Sequence, residues 1–128
     1  MNKELNIISR QIKTVVLGGN LNSATTFTYD LKSLGFKPDY IIVRSMISLA
    51  NNADEQVCQI YCNLISDIIG NVIISSTGST TNPQSIIDLR EKSLNTNLLS
   101  LSVQTLAGVV ATFNHASVFS IDLEFHKL

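Results

Sequence analysis

Two histidines, two cysteines and ten acidic residues are the groups in this 128-residue chain best suited to catalysis or metal binding. His115 sits in Asn114-His115-Ala116 and His126 lies near the C-terminus. A serine nucleophile needs a base within hydrogen-bond reach, and no nucleophile-elbow sequence is present to arrange one. If the segment around Cys58 and Cys62 is a strand, both thiols share a face about 13 Å apart. A disulfide needs Cα atoms within about 7 Å, so the two read as buried thiols serving as small hydrophobes. His115 and His126 add no ligand spacing, so no metal site is expected. Carboxylates are paired at Asp54-Glu55, in a loop, and at Asp122 and Glu124, two residues apart. The second pair meets the roughly 5–10 Å separation of a glycosidase, but alternate acids on a strand are the ordinary mark of a solvated face. Asp54, Asp67 and Asp88 fall in separate segments and form no calcium loop. Gly18-Gly19 lacks the Lys-Ser/Thr of a phosphate loop and reads as a turn. Tyr29, Tyr40 and Tyr61 are candidates for a sugar-stacking platform, yet aromatics are only 6% of the chain and Trp is absent; packing explains them better. No catalytic residue, cofactor or metal is expected, and the chain reads as a non-enzyme.

Composition limits the partners. The net charge is -1, charged residues are 15% and hydrophobic residues 45%. An average soluble domain is about 25% charged. Ser, Thr and Asn take up the difference and give a neutral polar surface that suits close subunit packing; an AT-rich genome would favour the same residues. Without a Lys/Arg cluster there is no basic face for phosphate neutralisation, so nucleic acid is not expected as a partner. No apolar run approaches the ~20 residues of a membrane helix, and no membrane partner is expected. Met1 to Leu5 lacks the pattern of a secretory signal, and no Asn-x-Ser/Thr acceptor occurs, in keeping with synthesis in the cytosol.

The elements that would carry these residues are read from period. Residues 1–13 place Leu5, Ile8 and Ile12 at spacings of three and four, either a short amphipathic helix or an arm that orders against a neighbour. Residues 14–128 form one domain in which the period is two. Phe27, Tyr29 and Leu31 alternate with Thr26, Thr28 and Asp30; Cys58, Ile60, Cys62 and Leu64 alternate with Gln59 and Asn63. Leu99, Leu101 and Val103 alternate with Ser100, Ser102 and Gln104; Phe119, Ile121, Leu123 and Phe125 with Ser120, Asp122 and Glu124. The Tyr40–Leu49 segment is apolar on both faces: Ile41, Val43, Ile47 and Leu49 on one, Tyr40, Ile42, Arg44 and Met46 on the other. Val109–Phe113 is a further expected strand, Gly18-Gly19-Asn20 a turn, and Ser75–Asn82 a polar loop. Eight or nine strands at about ten-residue spacing indicate an all-β sandwich, an eight-stranded antiparallel jelly roll by count. The interface residues expected are Leu5, Ile8 and Ile12 in the arm, and Ile42, Arg44 and Met46 on the strand. Ile42 and Met46 would form an exposed apolar patch if no other layer covered them, with Arg44 paired to an acid or a neighbouring subunit.

The phrase Leu34-Gly35-Phe36-Lys37-Pro38-Asp39-Tyr40-Ile41-Ile42-Val43-Arg44 resembles a turn-into-strand phrase of viral structural proteins. In pattern most of the chain is similar to small single jelly-roll virion proteins: minor capsid, penton, cementing and fibre-head subunits. The resemblance implies a non-enzymatic virion component made in the host cytoplasm. It would associate with itself, as a trimer or pentamer, and with other capsid proteins. The alternative is a receptor- or carbohydrate-binding module of the fibre- or tail-tip kind, using loops 50–56 and 75–83.

Overall fold

The structure, a computed structural model, describes residues 11–81 and 85–128. Alternating segments become strands because every second side chain can be buried while its neighbours stay wet. Among the described residues nine strands result: β1 (Gln11–Asn20), β2 (Thr26–Asp30), β3 (Tyr40–Leu49), β4 (Gln56–Cys62) and β5 (Asp67–Ile74), then β6 (Ser79–Thr81), β7 (Ser85–Asp88), β8 (Leu98–Thr105) and β9 (Val118–Lys127). Between β2 and β3 a single 3-10 turn, Leu31–Leu34, is capped by the Asp30 side chain and ends at Gly35, whose φ is 78°. A non-glycine residue there would be strained.

Pairing is nested. β4 pairs with β5, β3 with β6 and β7, β2 with β8, and β1 with β9, all antiparallel. The chain is therefore one long hairpin, rolled so that β9 also pairs with β3 and β8 with β4. β6 and β7 meet successive parts of β3, at Met46–Ser48 and Tyr40–Val43, and act as two pieces of one interrupted strand. Counted that way there are eight strand positions, four to a sheet, in the orders β1-β9-β3-β6/β7 and β2-β8-β4-β5. This is a jelly-roll sandwich. Phe119, Ile121, Leu123 and Phe125 face inward from β9, against Cys58, Ile60 and Cys62 of β4 and Leu99, Leu101 and Val103 of β8. Phe27 stacks on Phe119 at 6.0 Å and Tyr29 meets Phe125 at 5.6 Å, fastening β2 to the opposite sheet.

Four expectations are corrected. The register of β3 against β9 shifts between Val43 and Ser45, so Arg44 is the extra residue of a β-bulge. Beyond it the faces exchange: Met46 is fully buried, while Ile47 and Leu49, which alternation puts on one face with the buried Ile41 and Val43, are exposed. Gly18 and Gly19 are no turn but lie within β1. A Cβ on Gly18 would sit 2.1 Å from the Phe119 carbonyl oxygen, so glycine there permits a close strand approach. The polar stretch after Ser75 contains β6, which completes the edge of β3. Val109–Phe113 forms no strand: a turn at Gly108 (φ 83°) brings the chain back along β8, where it makes one bridge, Val110 to Gln104, flanked by backbone bonds at Val109 and Ala111.

Candidate interaction surface

The two sheets present different outer faces. On the face of β2-β8-β4-β5, Thr26, Ser102, Gln59 and Gln104 form a neutral polar centre, tied across strands by Thr26–Ser102 (3.2 Å) and Gln59–Gln104 (3.3 Å), beside which Val57, Ile73 and Leu98 are 44% to 54% exposed. The outer face of the other sheet is aliphatic at its margins. Register places Ile12 and Val16 on β1, Val118 on β9, Ile47 and Leu49 on β3 and Ile86 on β7 on that face. These six are between 49% and 66% exposed. Apolar residues in water at that density on one sheet face are a mark of an interaction surface.

At the centre of this face the bulge aims Arg44 outward, where its guanidinium donates to Glu124 at 3.0 Å. Glu124 also hydrogen-bonds the His126 imidazole, which is itself stacked on Tyr40 with ring centroids 4.8 Å apart. The His126 hydrogen bond, followed by the Arg44 guanidinium, holds the Glu124 carboxyl below its ordinary value against the opposing effect of burial. Asp122 Oδ1 and His126 Nδ1 are buried with no hydrogen-bond partner among the described residues. Asp122 and Glu124 are thus not the fully solvated pair expected: only 19% of the Glu124 side chain is exposed. With Arg44 more than half exposed, this ion pair adds at most about 1 kcal/mol. It orients charge more than it stabilises the sheet.

A second cluster lies where loops meet at one end of the sandwich. Asp54 is buried and accepts the backbone N–H of Asn114 (3.0 Å) and of His115 (2.7 Å) and the Ser117 hydroxyl (3.4 Å). His115 Nδ1 lies 3.3 Å from the same carboxylate. The residue types are those of a catalytic triad, but the geometry is not. The wholly buried Ser117 hydroxyl bonds to the carboxylate and to the His115 carbonyl, so it has no imidazole base. Asp54 is an anchor for the loop 112–117. Next to it Glu55 accepts the Ser76 N–H (3.0 Å) and hydroxyl (2.6 Å), joining the loops after β3 and β5. The Ser76 hydroxyl and N–H lower the Glu55 pKa from its ordinary value.

A cavity of about 430 Å³ opens beside the 3-10 turn, with walls of Leu31, Phe36, Pro38 and Leu94, lined also by Lys32 and Lys37. Cys58 and Cys62 are buried free thiols; burial pushes Cys58 up to about 11 and raises Cys62 as well. The three tyrosines share no platform: Tyr29 packs inward on Phe125, Tyr40 stacks on His126 on the outer face, and Tyr61 lies on the other sheet beside Ser102. Among the described residues no group of three His, Cys, Asp or Glu is placed to hold a metal ion.

Of the expected interface residues, Leu5 and Ile8 lie outside the described residues. Ile12 is in β1, not in an arm, and is exposed; Ile42 is half-buried on the outer face beside Ile86. Arg44 is exposed and pairs with Glu124; Met46 is in the core. Reading by alternation missed Val16, Ile47, Leu49, Ile86 and Val118. For Val16 and Val118 the signal was present, since each continues the outward parity of its strand. For Ile47 and Leu49 the bulge erased it.

No protein-family model matches the chain, and no curated protein matches it in sequence. Among solved structures the chain is similar to a protein of the extra small virus of the giant freshwater prawn Macrobrachium rosenbergii, seen as a virus-like particle. The TM-score is 0.38 and the identity 12%, over 92% of this chain and 79% of that chain.

Proposed function

We propose that the chain is a non-enzymatic structural subunit of a virion, made in the host cytoplasm, that works by associating with itself and with other capsid proteins. The observation that carries this reading is the outer face of the β1-β9-β3 sheet, where six aliphatic side chains are about half exposed, against three on the opposite face. Burying one half-exposed Val, Leu or Ile contributes on the order of 1 kcal/mol, half the gain of a full burial. Six of them on one face therefore supply a binding energy that water contact wastes. The jelly-roll topology and the resemblance of residues 34–44 to a turn-into-strand phrase of viral structural proteins support the virion setting. In this reading the segment before β1, with Leu5 and Ile8, reaches a neighbouring subunit, and the ring closes as a trimer or pentamer.

The test is solution mass by light scattering during size exclusion, for wild type and for an Ile47→Lys/Val118→Lys variant. Both sites are exposed, so the fold tolerates the change. A wild-type mass of several times 14.0 kDa that falls to one chain in the variant is the expected result. A wild type that is monomeric at every concentration overturns the reading.

A second reading has its own observation: the loops after β3 and β5 are locked together by Glu55 and Ser76 at one end of the molecule. A receptor- or carbohydrate-binding module would use that end. Binding of the wild-type monomer to a glycan array, lost on Glu55→Ala, would favour it.

A further inference from the structure

The four sheet edges of the sandwich are not equivalent. β6 and β7 expose an edge broken into pieces of three and four residues, and β2 is five residues long. β5 has eight residues, but two of its carbonyls are occupied: the Ser48 hydroxyl donates to the Ile73 carbonyl and the Ser85 hydroxyl to that of Ile69, both at 2.8 Å. Short strands and capped ladders are how sheets avoid pairing with other chains. β1 has neither protection. It is ten residues long and, among the described residues, pairs on one side only, with β9. Its inward-facing Val15 and Leu17 reach the core yet are only half-buried, and its outward Ile12 and Val16 are exposed.

An open ladder needs another strand, and the geometry points to β1 of a second copy of this chain, paired antiparallel about a two-fold axis at Val16. The inference rests on the reading of the chain as a self-associating subunit and names a two-fold contact between copies, separate from the contacts that close a ring. In a continuous sheet opposed residues must share a face, so the axis passes through a residue, not between two. Centred on Val16, Val15 meets Leu17 of the second copy, extending the core across the join, and Lys13 meets Gly19. Centred on Val15 instead, Lys13 would oppose Leu17. The Val16 register leaves no like charges facing and joins the two aliphatic outer faces into one. Overlap from Ile12 to Asn20 runs about 30 Å. A single strand pair covers less than the roughly 800 Å² per partner of a stable interface, so this contact exchanges and adds to others in an assembly.

Val16→Cys places two thiols opposite each other across the axis, within reach of a disulfide. The native thiols are fully buried and give no background. Under mild oxidation the full chain carrying Val16→Cys is expected to give a reducible dimer, several-fold more than Thr14→Cys. Thr14 shares the face, but two copies of it lie about 13 Å apart in this register. Val16→Lys, which opposes two ammonium groups, is expected to weaken dimerisation at least tenfold with an unchanged circular dichroism spectrum. A wild type that self-associates while Val16→Cys cross-links no better than Thr14→Cys overturns the β1 pairing and leaves the assembly reading standing. A wild type that never self-associates overturns both.

Discussion

Asp54 shows how little of a site a single position reveals. In the sequence it was one of an acidic pair in a loop; in the fold its carboxylate collects two backbone N–H groups and a hydroxyl from residues 114–117, about 60 positions away. The Asn114 N–H, then those of the His115 backbone and ring, lower its pKa below the ordinary 3.8 in spite of burial. A carboxyl whose folded pKa is depressed contributes stability above the unfolded value, and that contribution is lost as pH falls through the folded one. The urea midpoint is therefore expected to drop on acidification below pH 3.8, with Asp88, held down to about 2 by the Arg90 side chain and backbone, and Glu124 contributing to the same decline. Asp54→Asn turns one acceptor oxygen into a donor facing another donor. It is expected to lower the midpoint at neutral pH and to make the acid-side slope shallower than in wild type. A variant with wild-type slope would mean the carboxylate charge is not what holds the loop.

Strands show where periodicity succeeds and where it stops. β2, β4, β8 and β9 were readable because a two-residue period puts most of their apolar members on one face; the observed burial follows it from Phe119 to Phe125 without a slip. β3 was readable as a strand but not in its second half. One inserted residue at Arg44 reverses parity, and since Ile and Met are apolar on either face nothing in the sequence marks the switch. The Gly18-Gly19 pair failed for a related reason. Glycine signals either a turn or a close backbone approach, and only the position of β9 decides which. The aliphatic face was half readable for the same cause, and the Asp54 loop clamp not at all, being a contact between distant segments. The glycine assignment has a testable difference in cost. Gly35→Ala meets nothing within 4 Å and pays only the left-handed backbone strain, about 1 kcal/mol. Gly18→Ala, at φ 151° with backbone atoms from 2.1 Å, must also push β1 off β9 and is expected to cost about 3 kcal/mol or more. Urea denaturation of the two variants measures both; equal midpoints would contradict the close approach.

Nested pairing makes the ends of the chain the last and most interdependent part of the molecule. β1 pairs with β9 across separations from 98 residues, Asn20 to Val118, to 116, Gln11 to Lys127, and among the described residues β9 lies between β1 and β3 in the sheet. Closing so long a loop is unfavourable until several contacts form together, which places such topologies among the slower two-state folders. β9 contributes Phe119, Ile121, Leu123 and Phe125, all essentially without solvent contact. At roughly 1.5–3 kcal/mol each, their burial is worth on the order of 10 kcal/mol, comparable with the whole 5–15 kcal/mol stability of a small domain. Removal of residues 118–128 is therefore expected to abolish cooperative unfolding, not to lower its midpoint. It strips the sheet of its central strand, exposes the inner faces of β4 and β8, and leaves β1 with no partner in its own chain. Circular dichroism in a urea titration would show a gradual loss of signal in place of a sigmoid. A truncated chain that still unfolded in one sharp transition would locate the cooperative unit in the inner hairpin, β2 to β8, and make the outer strands an addition to a core that stands without them.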